Sequence, residues 1–160
     1  MQVKRIVMSV TAALLLLGVV ASIAAATTRD EYVEAVEPIC RTNKEANKKI
    51  LDGVRAEVKA GKLDLAAKKF ARAARALKRT RLELTKVEKP AADAKKLTRW
   101  LDYVKTEAEL FEAVSRKLAH GEKTAAQKMV VRLVSNARRA NSQVLEFEFR
   151  YCEFPISQYI

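Results

Sequence analysis

Apolar side chains recur in alternating steps of three and four residues along most of this chain. The series is clearest near the C-terminus, at Ala126, Val130, Leu133, Ala137, Ala140, Val144, Phe147 and Tyr151. Such steps return to the same side of an α-helix, so they predict amphipathic helices that each bury one stripe. Beyond residue 26 only three glycines and three prolines interrupt a chain rich in strong helix formers, and no segment is predicted to be a β-strand.

These glycines and prolines divide the chain into four predicted helices. The first runs from Thr28, which forms a capping box with Glu31, to Ala60, with Gly61 as its C-terminal cap. Pro38 lies inside it and predicts a kink or a restart. The other three span about 64–89, 90–120 and 123–152. Helices of similar length joined by short turns predict an all-α, antiparallel up-down four-helix bundle over 27–154, with 155–160 as a C-terminal tail.

The first 26 residues have the pattern of an export signal. Lys4 and Arg5 precede the uncharged stretch 6–26, which ends in three alanines. A basic start, an apolar stretch and small residues predict a secretory signal peptide, cut after Ala26. The alternative is a retained membrane anchor, because 21 residues are enough to span a bilayer core of about 30 Å. Either interpretation predicts an extracytoplasmic protein, secreted or held in the periplasm or cell envelope.

Cys40 and Cys152 are the only cysteines. An even pair in an oxidising compartment predicts a disulfide, and the alternative is two unlinked thiols. In an up-down bundle the start of the first helix and the end of the last lie at the same end. The disulfide requires the two Cα atoms to lie within about 7 Å of each other.

The chain is strongly basic, with 31 lysines and arginines against 19 acidic residues, and the charge concentrates in the second predicted helix. One interpretation is an anion-binding stripe for an envelope polymer, a membrane surface or an acidic protein, and the other is an ordinary solvated face. Nucleic acid is not expected, because no aromatic side chains alternate with these cations and the chain is predicted to be exported. The candidate anion-binding residues are Lys68, Arg72, Arg75, Arg79, Lys95, Lys96 and Arg99.

No group of residues predicts catalysis, a metal site or a cofactor. The single histidine, His120, precedes a glycine at a predicted helix end, where the helix dipole favours a cation. The carboxylates of Glu107 and Glu109 are two residues apart and do not share a helical face, so we expect both to be solvated. The sequence therefore predicts a non-enzymatic protein.

Five of the ten aromatic residues fall between residue 147 and the C-terminus. One interpretation is a strap that closes an end of the bundle beside Tyr32 and Val36, fixed by the second cysteine. The other is an exposed patch for a partner, formed by Phe149, Phe154 and Tyr159.

The export signal, the EPIC run at 37–40, the four helices and the FRYC run at 149–152 give the chain a family resemblance. It resembles small exported two-cysteine helical-bundle proteins of bacteria, and this resemblance implies the bundle and the disulfide but no activity. We therefore expect an exported protein that binds an anionic surface or partner through its basic second helix. The alternative is an extracytoplasmic chaperone or sensor domain that uses the aromatic C-terminal end. Oligomeric state and partner identity stay open.

Overall fold

A computed structural model describes residues 27–154 of this protein. Within that range every regular element is helical, which confirms the all-α prediction. The predicted signal segment 1–26 and the tail 155–160 lie outside the described residues. The α-helices are α1 (Arg29–Leu51), α2 (Val54–Lys59), α3 (Leu63–Leu84), α4 (Ala94–Ala119) and α5 (Lys123–Gln143), followed by a 3₁₀ turn at Leu145–Phe147.

The four long helices form an antiparallel bundle around one hydrophobic core. The most extensive packing is between α3 and α4 and between α4 and α5, and α1 packs on α3. Helices α1 and α5 make few direct contacts. At one end, called the closed end, residues 144–154 cover the core and contact α1; we call this segment the C-terminal strap. The opposite end, called the open end, contains α2 and the α4–α5 turn.

Helix α1 begins as the sequence predicts. The Thr28 backbone N–H donates to a Glu31 carboxylate oxygen at 2.8 Å, and the Glu31 N–H donates to the Thr28 hydroxyl at 3.2 Å. The hydrogen bonds that the Glu31 carboxylate accepts from the backbone N–H and the hydroxyl of Thr28 lower the pKa of Glu31. The helix does not restart at Pro38 but is continuous from Arg29 to Leu51.

The prediction that the first helix extends to Ala60 is wrong. Gly53 has a φ of 71°, in the left-handed region that glycine adopts without steric cost, and the helix breaks there. Helix α2 then starts in a new direction and packs on α3. Lys69 of α3 stabilises the break, because its ammonium donates to the Asp52 carbonyl and to the Glu57 carboxylate, each at 2.5 Å.

The connection between α3 and α4 is longer than predicted. Helix α3 ends at Leu84 and α4 begins at Ala94, whereas we expected a turn at Pro90 alone. The buried Asp93 side chain lies just before α4 and binds Arg29 of α1. The wider connection thus gives α1 an ionic contact at the closed end.

The last helix is also shorter than predicted, ending at Gln143 and not at Cys152. Phe147 and Phe149 are both buried, while Glu148 between them is exposed. Residues two apart point about 200° apart on an α-helix but to the same side of an extended chain. Leaving the helix therefore lets both rings enter the core.

Candidate functional site

A disulfide joins Cys40 of α1 to Cys152 of the C-terminal strap, with the two Cα atoms 4.9 Å apart. This confirms the predicted pairing. The Glu37 carboxylate accepts hydrogen bonds from the Tyr151 backbone N–H, at 3.0 Å to each oxygen. Lys44 donates to the carbonyl of Arg150 at 3.3 Å. The strap is therefore fixed to α1 by a covalent bond and by polar contacts around it.

The strap also closes the core with aromatic side chains. Phe149 lies 5.5 Å from Trp100 and 5.4 Å from Phe147, between ring centroids, and Phe147 packs edge-on against Tyr32. Phe149 is only 4% exposed, so its prediction as part of an exposed partner patch is wrong.

The rest of that predicted patch is not brought together as an exposed surface. Phe154 is half-buried, and its backbone exchanges hydrogen bonds with the Asn141 side chain. Tyr159 lies outside the described residues. The geometry of residues 147–154 thus follows the strap interpretation.

A small ionic cluster surrounds Arg29 at the closed end. Its guanidinium donates to both carboxylate oxygens of Asp93, at 2.9 and 3.0 Å, and these bonds lower the pKa of Asp93. Glu146 of the strap pairs with both Arg29 and Lys96. Lys96 is therefore engaged in an internal ion pair, whereas Lys95 and Arg99 are exposed.

The four cations predicted on one face of the basic helix do share a face of α3. Lys68, Arg72, Arg75 and Arg79 fall within an arc of about 60° at the 100° per residue of an α-helix, opposite the buried Phe70 and Leu77. We call these four residues the basic face. All four are exposed, and none of their side chains has a hydrogen bond or ion pair with another residue in 27–154. By contrast, Lys69 and Lys78 of the same helix pair with Glu57 and Glu112.

Sequence reasoning missed a buried carboxyl group. Glu107 is 0% exposed between α4 and α5, so the expectation that it is solvated is wrong. One carboxyl oxygen accepts a hydrogen bond from the Asn136 side-chain amide at 2.7 Å, and the other has no partner among the described residues. Burial raises the pKa of Glu107 to about 8, against the smaller opposing effect of that hydrogen bond.

A cleft of about 850 Å³ lies at the open end, where α1 and α2 stand apart from α5. Its floor consists of five core side chains, Phe70, Val114, Leu118, Ala126 and Leu133. Its sides carry further apolar residues, Leu51, Val54, Val58, Val130 and Val131. The sequence alone gave no indication of this cleft, because the break at Gly53 that forms one of its sides was not predicted.

The mouth of the cleft is basic. Lys48, Arg55 and Lys59 lie along the α1–α2 side, and Lys123 lies at the start of α5. All four are exposed, and none of their side chains is hydrogen-bonded or ion-paired to another described residue. Asp52 is the single carboxylate among the lining residues.

Together these features define a small, disulfide-linked, all-α bundle with a basic helix face and a separate apolar cleft. Comparison of the chain with protein-family models, with curated proteins and with solved structures finds no match. Within residues 27–154, no helix has the length and apolar character needed to cross a membrane.

Proposed function

We propose that this chain is an exported, non-enzymatic protein that binds anionic membrane surfaces through the basic face of α3. The observation that carries the proposal is a row of four exposed cations without internal partners. Anionic lipid head groups attract such cations over about 10 Å at 0.1 M salt. Lys68 and Arg79 are eleven residues apart, so the row extends about 16 Å along the helix at 1.5 Å per residue.

Two leucines favour a lipid surface over a soluble anionic polymer. Leu65 and Leu82 are 46% and 59% exposed, and they flank the basic face near the two ends of α3. Apolar side chains beside cations are typical of helices that lie in a membrane interface. A polymer such as a teichoic-type wall component would gain nothing from them.

Export is supported by the signal-like N-terminal sequence and by the disulfide. Structural disulfides persist in oxidising compartments and are rare in the cytosol. The resemblance to small exported two-cysteine helical proteins of bacteria agrees with this location. Removal of residues 1–26 takes away Lys4 and Arg5 and leaves 29 basic and 19 acidic residues, so the exported part stays strongly basic.

The test is vesicle binding by the exported protein. The chain is expressed with its N-terminal segment in an export-competent host, the exported form is purified, and its mass shows whether the cut follows Ala26. Co-sedimentation is then measured with vesicles of phosphatidylcholine alone or mixed with phosphatidylglycerol. We expect binding only to the anionic vesicles, weakening as ionic strength rises.

Two triple variants distinguish binding through the basic face from binding that depends only on the net charge of the protein. Changing Arg72, Arg75 and Arg79 to Glu should weaken binding at least about 100-fold, because each cation near an anionic surface contributes about 1 kcal/mol. The matched control changes three exposed α5 cations, Lys128, Arg138 and Arg139, to Glu. Equal losses in the two triple variants, or none in the first, would contradict the proposal. Binding to soluble polyanions but not to vesicles would contradict the choice of a lipid surface.

A further inference from the structure

The cleft at the open end is a separate site, on the other side of the core from the basic face. Its lining comes from the end of α1, from α2 and from the first half of α5, together with core residues of α3 and α4. No cation of the basic face lines it. Whatever binds there does so independently of α3 binding to a surface.

The cleft has the size and lining of a small-molecule site. Its volume of about 850 Å³ lies within the roughly 300–1,000 Å³ typical of such sites, and its surface is mainly apolar. Val131 at its side is 69% exposed, and Leu51, Val54 and Val58 are only half-buried. An apolar ligand that covered these side chains would remove their surface from water, which is favourable.

The charges at the mouth specify the polar part of the ligand. Lys48, Arg55, Lys59 and Lys123 surround the opening and have no partners in the described chain, against the one carboxylate of Asp52. A ligand that fits both features has an apolar body and an anionic head. Three of the four cations are lysines, which attract an anionic head group as compact point charges.

The C-terminal strap limits the ligand's length. Its contacts on α1 run from Arg29 to Lys44, and the cleft begins at Lys48. The gap between α1 and α5 is thus filled at the closed end and open only beyond it. A long partner helix lying along the whole gap would collide with the strap, whereas a flexible single chain fits the open part.

We propose that this cleft binds a long-chain fatty-acid anion, with the acyl chain on the apolar floor and the carboxylate among the lysines at the mouth. The probe is oleate, added to the exported protein in detergent-free buffer. Native mass spectrometry gives the number of molecules bound, and isothermal titration gives the affinity. We expect one oleate per chain. We also expect the uncharged methyl oleate to bind at least about tenfold more weakly than oleate, because it lacks the charge that the lysines attract.

Two variants test the location. Val131→Glu places a carboxylate beside the apolar lining, and Lys59→Glu combined with Lys123→Glu reverses two charges at the mouth. Each should weaken oleate binding at least about tenfold. The matched control is Leu82→Glu, which changes a similarly exposed apolar residue of α3 outside the cleft. Thermal unfolding of each variant verifies that the fold is retained.

The outcomes separate this proposal from the function of the basic face. The Arg72, Arg75 and Arg79 triple variant should bind oleate normally even where its vesicle binding is lost. Absence of oleate binding, or equal binding by all variants, would overturn the cleft assignment. Binding of lysophosphatidylglycerol without binding of oleate would show that the ligand is a phospholipid and would overturn the choice of a fatty acid.

Discussion

The buried carboxyl group of Glu107 makes the stability of this protein depend on pH. In the unfolded chain a glutamate titrates near 4.5, while in the folded protein burial raises the pKa of Glu107 to about 8. Below pH 4.5 the group is protonated in both states. As the pH rises towards 8 the unfolded chain releases the proton and the folded chain keeps it, so the free energy of unfolding falls. Above about 8 both states are ionised and the loss is complete.

The size of this loss follows from the difference in pKa. A tenfold change in a protonation equilibrium corresponds to about 1.4 kcal/mol, so the rise of the pKa from 4.5 to about 8 gives a loss of the order of 5 kcal/mol between acid and alkaline pH. That is a large share of the roughly 5–15 kcal/mol by which domains of this kind are stable. Glu107→Gln keeps the size and polarity of the side chain and removes its titration. The variant should therefore gain stability over the wild type as the pH rises.

The assay is urea unfolding of the oxidised protein at intervals from about pH 5 to about pH 9. The quantity of interest is the free energy of unfolding of Glu107→Gln minus that of the wild type, because other titrating groups cancel in this difference. We expect it to increase by several kcal/mol over the range. Glu109→Gln is the matched control, since Glu109 is exposed on the same helix and, among residues 27–154, pairs only with Lys105. A difference that stays constant with pH for Glu107→Gln would refute the reasoning.

Two further predictions concern the ends of the bundle. Phe149→Ala should lower the free energy of unfolding by about 3–5 kcal/mol, as for other fully buried aromatic residues. Because Phe154 is only half-buried, Phe154→Ala should lower the free energy of unfolding by less. Equal small losses for the two variants in urea unfolding would indicate that the strap is not part of the core. Gly53→Ala should lower it by about 1–2 kcal/mol, because an L-residue is forced into the left-handed region there. Its added Cβ would meet only Lys69 Nζ, at an ordinary 3.8 Å, so an unchanged urea midpoint would contradict the conformational explanation.

The fold class was predictable because the helical signal is strong and local. Apolar steps of three and four define α3, α4 and most of α5, and the capping box at Thr28 fixes the start of α1. The pairing of Cys40 with Cys152 followed from topology, since an up-down bundle brings the two ends of the chain together. These features depend on periodicity and chain order, which the sequence states directly.

The helix ends were harder to predict because tertiary contacts decide them. The steps of three and four continue through Val144 and Phe147, but burying Phe147 and Phe149 together required the chain to leave the helix. The alternation of aromatic and charged residues from Phe147 to Tyr151 carried that signal, and the longer helical pattern masked it. Similarly, an isolated glycine inside a helical pattern is tolerated in many proteins. The helix breaks at Gly53 because Lys69 of α3 stabilises the broken conformation, and the local sequence does not show this contact.

The same difficulty applies to the candidate sites. The basic face was predictable because exposed cations at helical spacing need no knowledge of neighbouring helices. The cleft and Glu107 were not, since each depends on which side of a helix meets which neighbour. Glu107 is buried because Asn136 of α5 lies opposite and supplies a hydrogen bond, a pairing 29 residues apart in the chain that no local pattern specifies.

The cleft and the strap have a common origin in the composition of α1. The first half of α1 contributes three buried apolar side chains to the core, those of Tyr32, Val36 and Cys40. At the positions that continue this stripe, the second half carries polar residues: Asn43, Lys44, Asn47 and Lys48. Most of the apolar surface that this helix buries therefore lies at the closed end, where the strap covers it, although Ile50 and Leu51 near Gly53 also pack against the core. Beyond Lys44 neither α1 nor the strap offers enough apolar surface to cover α5. The core therefore stays accessible at the open end, and Lys48 of α1 begins the row of cations around that opening. The unequal distribution of apolar side chains along α1 thus accounts both for the disulfide-fixed strap and for a cleft with a basic mouth.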